Sequence, residues 1–194
     1  MNRPTLGEAL QKTAAILNFL PFGEARTEAR LLVARAAGLP AGSVSLYGAT
    51  ELTPADEAVL EALVRERLTG KPLQYVLGEW EFMGLPFKTD ARALIPRQDT
   101  ETLCEVSLAL IRGRGYRRCL DLCCGSGCVG ISLAKLCGAD ATLADVDGEA
   151  LSLARENADL NGVRAQFVQS DLFANIRERY DLIACNPPYL SDAD

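Results

Sequence analysis

Four consecutive residues, Asn186-Pro187-Pro188-Tyr189, close the mostly apolar run DLIAC at residues 181–185. Two prolines fix two φ angles at roughly −65° and remove two backbone donors. Such a loop is rigid and rich in carbonyls without partners. The Asn186 side-chain oxygen and the Pro187 carbonyl could both accept from one planar NH2 group. Tyr189 offers that group a flat face. Amide and aromatic-amine nitrogens are poor nucleophiles because their lone pair is delocalised. Acceptors that hold both protons favour pyramidalisation and align the nitrogen with an electrophile. If the proton leaves after the nitrogen has bonded to carbon, no histidine base is needed. The chain has no histidine at all, which removes the commonest general base and every Ser-His or Cys-His nucleophile. On local grounds alone, a proline-rich turn ending a strand would account for these residues equally well.

A second group of residues changes that balance. DLCCGSG, residues 121–127, is an apolar strand ending in an acid, then a glycine turn into a helix. Gly125 and Gly127 let a ligand approach the backbone, and the helix start presents free N–H groups. A glycine turn by itself is often only a tight connection. The next strand, ATLADVD, adds Asp145 about twenty residues on, where a carboxylate can accept both ribose hydroxyl protons. Asp147 remains to cap the following helix. Strand, glycine turn, helix, strand and acid in this order point to an adenosine-type ligand. In QSDLF, Asp171 could accept from an adenine amino group, with Leu172 or Phe173 against the ring; a helix cap is the plainer alternative. The turn is not a full GxGxxG and has no lysine for a triphosphate, which argues against a Walker-type NTPase.

These residues need a sheet to hold them. From residue 116 the pattern is β-α-β-α-β-β, which predicts a parallel, doubly wound sheet with ligands at its carboxyl edge. The last strand is expected beside the first. Before it, KPLQYVLGEWEFMGLPFKTD predicts a β-hairpin carrying Trp80, Phe82, Leu85 and Phe87 around Met83-Gly84. A helix capped by Asp99 or Thr100 should follow, with Leu103, Val106, Leu110 and Ile111 on its apolar face. The first seventy or so residues read as three or four short helices. Their stripes are Leu6-Leu10-Leu17-Leu20, Ala29-Leu32-Val33-Ala36 and Leu60-Leu63-Val64-Leu68, with Thr53, Pro54 and Asp56 starting the last. The expected domains are residues 1–72 (helical), 73–98 (hairpin linker) and 99–194 (α/β).

Of the 194 residues 48% are hydrophobic and 24% charged, the balance of a soluble globular protein, and the net charge is −6. An acidic chain is a poor partner for free nucleic acid. No apolar run is long enough to cross a membrane and the N-terminus lacks a signal-peptide stretch, so a cytoplasmic protein is expected. Seven cysteines, an odd number, fit reduced thiols rather than a disulfide framework. A metal site at Cys123, Cys124 and Cys128 is disfavoured by the lack of a CxxC pair and of histidine, so no metal is expected.

With these motifs in hand, the chain resembles class I S-adenosylmethionine-dependent amino-methyltransferases, whose hallmark is an (Asn/Asp)-Pro-Pro-Tyr loop after the fourth strand. More narrowly, it is similar to the HemK-type enzymes that methylate the glutamine of the Gly-Gly-Gln motif in peptide chain release factors. Residues 70–103, including the hairpin and LIPRQDTE, carry the narrower likeness. The resemblance implies a Rossmann-like sheet preceded by a small helical bundle and a hairpin linker, S-adenosylmethionine as cofactor, and a release factor as partner gripped by the N-terminal helices. A monomer is expected. Asp121, Cys123, Cys124, Gly125, Ser126 and Gly127 would line the methionine and ribose side. Asp145 would bind the ribose, and Asp171 and Leu172 would border the adenine. As the catalytic residues, Asn186, which would also contact the cofactor, and Pro187 would hold the glutamine NH2, with Tyr189 against it and Pro188 in the same substrate loop. Arg97 would serve the site or a structural ion pair. The family often has Gly-Thr where this chain has Cys123-Cys124. The class I sheet also normally adds three more strands, so the chain reads as a fragment and is expected to be less stable than a longer form, with its activity impaired. Two rivals are an amino-methyltransferase for ribosomal-protein glutamine or for adenine or guanine, and a non-catalytic binding module.

Overall fold

The structure is a computed structural model that describes residues 3–20 and 24–188, so Tyr189 lies outside the described residues. It divides into two units, Met1–Leu77 and Gly78–Asp194. The division places the hairpin in the second unit.

The first unit is built from helices α1 (Leu6–Leu17), α2 (Ala25–Ala36), α3 (Pro54–Leu68) and the short α4 (Leu73–Leu77). Capping boxes start two of them. Thr5 accepts from the Glu8 N–H at 3.2 Å while the Glu8 carboxylate accepts from the Thr5 N–H at 2.8 Å, and Thr53 and Asp56 repeat the exchange on α3. Ala29, Leu32, Val33 and Ala36 are buried as their spacing predicts. The other stripes are corrected. Leu20 lies beyond the end of α1, and Leu68 is 45% exposed. Arg67 takes the inward position on α3, and its guanidinium forks onto Glu28 at 2.8 and 3.1 Å. A third bond runs to the Lys71 carbonyl at 3.2 Å. Sequence periodicity excluded Arg67 because a charge enters a core only with a partner, and that partner is 39 residues away.

The second unit opens with the hairpin β1 (Glu79–Phe82) and β2 (Leu85–Lys88), paired antiparallel. Met83 and Gly84 both have positive φ, 53° and 74°, as a two-residue turn matched to strand twist requires. Helix α5 (Gln98–Arg114) follows. Arg97 is its N-cap and makes no side-chain cap bond, which corrects the expectation of Asp99 or Thr100. Its buried face is Cys104, Ser107, Leu108 and Ile111; Val106 is 54% exposed.

Strands β3 (Arg118–Leu122), β4 (Asp140–Asp145), β5 (Gln166–Gln169) and β6 (Leu182–Cys185) form a parallel sheet in the order β5-β4-β3-β6. Helices α6 (Cys128–Cys137) and α7 (Gly148–Leu160) connect β3 to β4 and β4 to β5. Alternation splits β3 between two cores. Cys119 joins the larger core with side chains from α5, α6 and α7, whereas Leu120 and Leu122 meet Ala144, Val168, Ile176 and Tyr180 on the other face. Among the described residues the helices of this unit therefore pack on one face only, where a doubly wound sheet was expected. The physical reason is the β5-to-β6 connection, which runs as turns. The Asp181 carboxylate pins β6 to β3 by accepting from the Arg117 and Arg118 N–H groups, both at 2.9 Å.

Asn157 of α7 and the helix's C-cap, Asn161, hold the hairpin. Asn157, fully buried, accepts from the Lys88 N–H at 2.7 Å and donates to the Lys88 carbonyl at 3.3 Å and the Ser126 carbonyl at 3.0 Å. Asn161 donates to the Pro86 carbonyl at 2.8 Å. One carboxamide thus satisfies three backbone groups of the hairpin and the glycine turn.

Gly127 begins α6 with φ 79°, and a Cβ there would lie 2.7 Å from Leu143 Cδ2, 2.9 Å from Ile131 Cδ1 and 3.0 Å from Ala154 Cβ. All three neighbours are fully buried. Gly127→Ala combines overpacking with a left-handed backbone and is expected to cost roughly 2–5 kcal/mol. Urea unfolding checks this; a midpoint equal to that of the parent would refute it.

Candidate functional site

The carboxyl ends of β3, β4 and β6 open into one cavity of about 750 Å³. That size suits a nucleoside-sized ligand. Sheet topology puts it there: β3 is followed by β4 on one side and β6 on the other, so the loops leaving these strands diverge and leave a crevice. Of the sequence-predicted residues, Asp121, Cys123, Cys124, Gly125, Ser126, Asp145, Asp171, Leu172, Asn186, Pro187 and Pro188 all line it, and so does Arg97. Gly127 does not; its place is the core packing described above.

The glycine turn is held by Asp145. The Gly125 N–H donates to Asp145 Oδ2 at 2.8 Å, and the Asp147 N–H donates to Oδ1 at 3.0 Å. Each carboxylate oxygen keeps a lone pair for a further donor. Asp147 caps α7 by accepting from the Glu149 N–H at 2.8 Å, the division of labour between these two acids that their positions suggested. Gly125 has φ 52°, and only the Ala93 Cβ, at 3.8 Å, stands near the place of its missing side chain. A backbone open on that side and an acid with spare acceptor capacity fit a ribose-bearing cofactor. Asp171 and Leu172 stand at the end of β5, Leu172 with φ 45° and half exposed. The Ser170 N–H donates to the Asp145 carbonyl at 2.9 Å and so ties this edge to β4.

Asp121 is the buried acid of the site. Burial pushes its carboxyl up to about 7 from the ordinary 3.8; the Gly130 N–H, donating at 2.8 Å, opposes this, and the charge of Asp145 adds to it. A carboxyl raised on folding stabilises the fold fully below its unfolded value and loses that contribution as pH rises through the folded one. Stability should therefore fall between pH values of about 4 and 7 through this group. Asp121→Asn is expected to remove that part of the slope, so the difference in urea midpoint between variant and parent grows with pH. A constant difference across the range would count against it.

Asn186 stands at the end of β6. Its Nδ2 donates to Thr100 Oγ1 at 3.1 Å, and Thr100 is buried in the first turn of α5. With its nitrogen engaged, the carboxamide keeps Oδ1 as an acceptor for a ligand. Sequence reasoning missed Thr100 as a partner of this residue, treating it only as a possible cap. It also missed Asn157. An asparagine in mid-helix is a weak helix former, and such a residue is usually bonded elsewhere, which was the available signal. Among the described residues no group of three or more metal-ligating side chains comes together, and no helix is long and apolar enough to cross a membrane.

The comparisons with known proteins divide along the same line as the fold. Residues 8–78 match the family described as PrmC N-terminal domain, and residues 104–194 match Methyltransferase small domain. The chain is similar to the release factor glutamine methyltransferase of Deinococcus radiodurans, 37% identical over 190 residues, covering 97% of this chain and 68% of that protein. It is 38% identical to the enzyme of the same name from Chlorobaculum tepidum, covering 96% and 68%. The ribosomal protein uL3 glutamine methyltransferase of Xylella fastidiosa is 38% identical over 180 residues, covering 89% and 57%.

Proposed function

The chain belongs to the release factor glutamine methyltransferase family of S-adenosylmethionine-dependent protein-glutamine N-methyltransferases, and we propose that its substrate is the Gly-Gly-Gln glutamine of peptide chain release factors. The single observation that carries this reading is the pairing of Asn186 with Thr100, which leaves Asn186 Oδ1 to accept from a ligand in the cavity that Pro187, Asp145 and Gly125 also line.

S-adenosylmethionine supplies an electrophilic methyl group when bound. Asp145 would take the ribose hydroxyls, Asp171 and Leu172 the adenine, and the turn at residues 123–126 the methionine side. Asn186 Oδ1 and the Pro187 carbonyl would each accept one N–H of the substrate carboxamide. That grip would fix the orientation of the carboxamide nitrogen toward the cofactor side of the cavity. Pro188 stiffens the loop, and Tyr189 is assigned the opposite face of the amide. Neither acceptor needs to take a proton, because the nitrogen becomes acidic only after its bond to carbon has formed. The helices of the first unit are assigned the recognition of the protein substrate.

The Xylella fastidiosa relative favours a second reading, glutamine of ribosomal protein uL3. One experiment addresses both. A release factor and uL3 are each incubated with the protein and S-adenosylmethionine, and their glutamine peptides are weighed. A 14 Da gain on the Gly-Gly-Gln peptide alone is expected for the first reading. A gain confined to uL3 would replace it with the second.

A further inference from the structure

Two thiols lie at the ends of adjacent strands next to the cavity: Cys123 lines it, and Cys185 directly precedes Asn186, which also does. Leu122 and Cys185 are register partners on the adjacent parallel strands β3 and β6, and Cys123 follows Leu122 directly. Cys123 turns left-handed, φ 59°, so its side chain leaves the strand alternation. The two thiols perturb one another, Cys185 being among the groups that raise the Cys123 thiol. Neighbouring strands lie roughly 4.8 Å apart, and the one-residue step of roughly 3.3 Å from Leu122 to Cys123 makes the diagonal Cα separation from Cys185 about 6 Å, inside the roughly 4.4–6.8 Å that a disulfide accepts. Both residues are reachable: Cys185 is exposed and Cys123 half-buried, whereas Cys104, Cys119, Cys124 and Cys128 are buried. The remaining cysteine, Cys137, ends α6 and donates to the Leu133 carbonyl at 2.9 Å.

We infer that Cys123 and Cys185 form a reversible oxidation site, in which a peroxide joins them as a disulfide that ties the glycine turn to the Asn-Pro-Pro loop and weakens cofactor binding. The chemistry closes with hydrogen peroxide as the only co-reactant. One thiolate attacks a peroxide oxygen; the S–O bond forms, the O–O bond breaks, and hydroxide leaves. The resulting sulfenic acid is attacked by the second sulfur; the S–S bond forms, the S–O bond breaks, and water leaves with the second thiol's proton. Two electrons and two protons pass from the thiols to the peroxide, giving two waters. Burial pushes the Cys123 thiol up to about 11 and raises Cys185 as well, so the reaction is slow at neutral pH and speeds up as pH rises.

The consequence follows from position. Cys123 lines the cavity, and Cys185 immediately precedes Asn186. Joining the two sulfurs by a bond of roughly 2.05 Å ties the two loops together, and displacements on the order of 1 Å are costly at such sites. The effect on the cofactor rests on the functional reading above; the disulfide itself does not.

The test exposes the protein to excess hydrogen peroxide, removes the peroxide with catalase, and measures intact mass, the peptide map and affinity for S-adenosylhomocysteine. Expected are a loss of two hydrogens, a cross-linked peptide pair carrying Cys123 and Cys185, and at least about tenfold weaker binding, all reversed by dithiothreitol. C185S and C123S should each prevent the mass loss, and C137S should not. Oxygen addition in place of the cross-link, or a cross-link that survives C185S and C123S, overturns the site. A cross-linked protein that binds as tightly as the reduced one overturns the regulation. If the reduced protein does not bind S-adenosylhomocysteine at all, the cofactor reading fails, while the mass data still judge the disulfide.

Discussion

Asn186→Ala is expected to lower the methylation rate of a release factor by roughly 100- to 1,000-fold, the usual effect of removing one positioned polar group from a transition state. Affinity for S-adenosylhomocysteine should change far less, because the product contains no amide nitrogen to hold. The effect belongs in kcat, since the acceptor acts on the nitrogen as its lone pair is freed. Thr100 provides a graded control. Thr100→Val keeps the helix and the volume but removes the oxygen that accepts from Asn186 Nδ2 at 3.1 Å. A loss of about tenfold in kcat is expected, with Thr100→Ser close to the parent, because an untethered carboxamide spends less time in the productive orientation. Single-turnover kinetics would read the split. If Asn186→Ala methylates at the parental rate, the assignment of the Asn-Pro-Pro loop is wrong.

The second large effect is on cofactor affinity. Asp145→Asn should weaken S-adenosylhomocysteine binding by about 100-fold or more, measured by calorimetry. Both carboxylate oxygens already accept, one from the Gly125 N–H at 2.8 Å and the other from the Asp147 N–H at 3.0 Å. A carboxamide cannot serve both. In either orientation its NH2 would confront a backbone N–H, that of Gly125 or that of Asp147, and the ligand would lose a charged acceptor. Asp147→Ala separates this from helix capping: it removes only the bond to the Glu149 N–H and should cost about 1 kcal/mol of stability with binding retained. Equal losses of affinity in both variants would place the effect in α7 and take the ribose role from Asp145.

Much of this arrangement was legible before any coordinates. The strand, glycine turn, helix, strand and acid succession is local, so its meaning survives translation into space: residues 121–126, Asp145 and Asp171 all reach the crevice because each lies at or just past the end of a parallel strand on the same edge. The Met83-Gly84 turn was legible for the same reason. What escaped was non-local. Arg67 replaced Leu68 in the core because Glu28, on another helix, neutralises it. Thr100 looked like a cap because capping is read from neighbours three residues away, while its partner Asn186 is 86 residues distant. Gly127 shared the ligand-facing reading of Gly125, yet what excludes a side chain there is Leu143, Ile131 and Ala154, none adjacent in sequence. Periodicity finds faces and punctuation finds ends; neither finds a hydrogen bond across the fold.

The carboxamide of Asn157 has a further consequence. One rigid plane carries bonds to Lys88 on the hairpin and to Ser126 on the glycine turn. The two segments therefore share a single mechanical joint, and order imposed on one is transmitted to the other. Linkage makes the exchange symmetric: whatever the hairpin gains in rigidity from an occupied glycine turn, the turn regains from a hairpin that is gripped. The amide of Lys88 is the reporter, because its hydrogen can exchange with solvent only when the joint opens. Its exchange is expected to slow when S-adenosylhomocysteine is added, and to lose that response in Asn157→Ala.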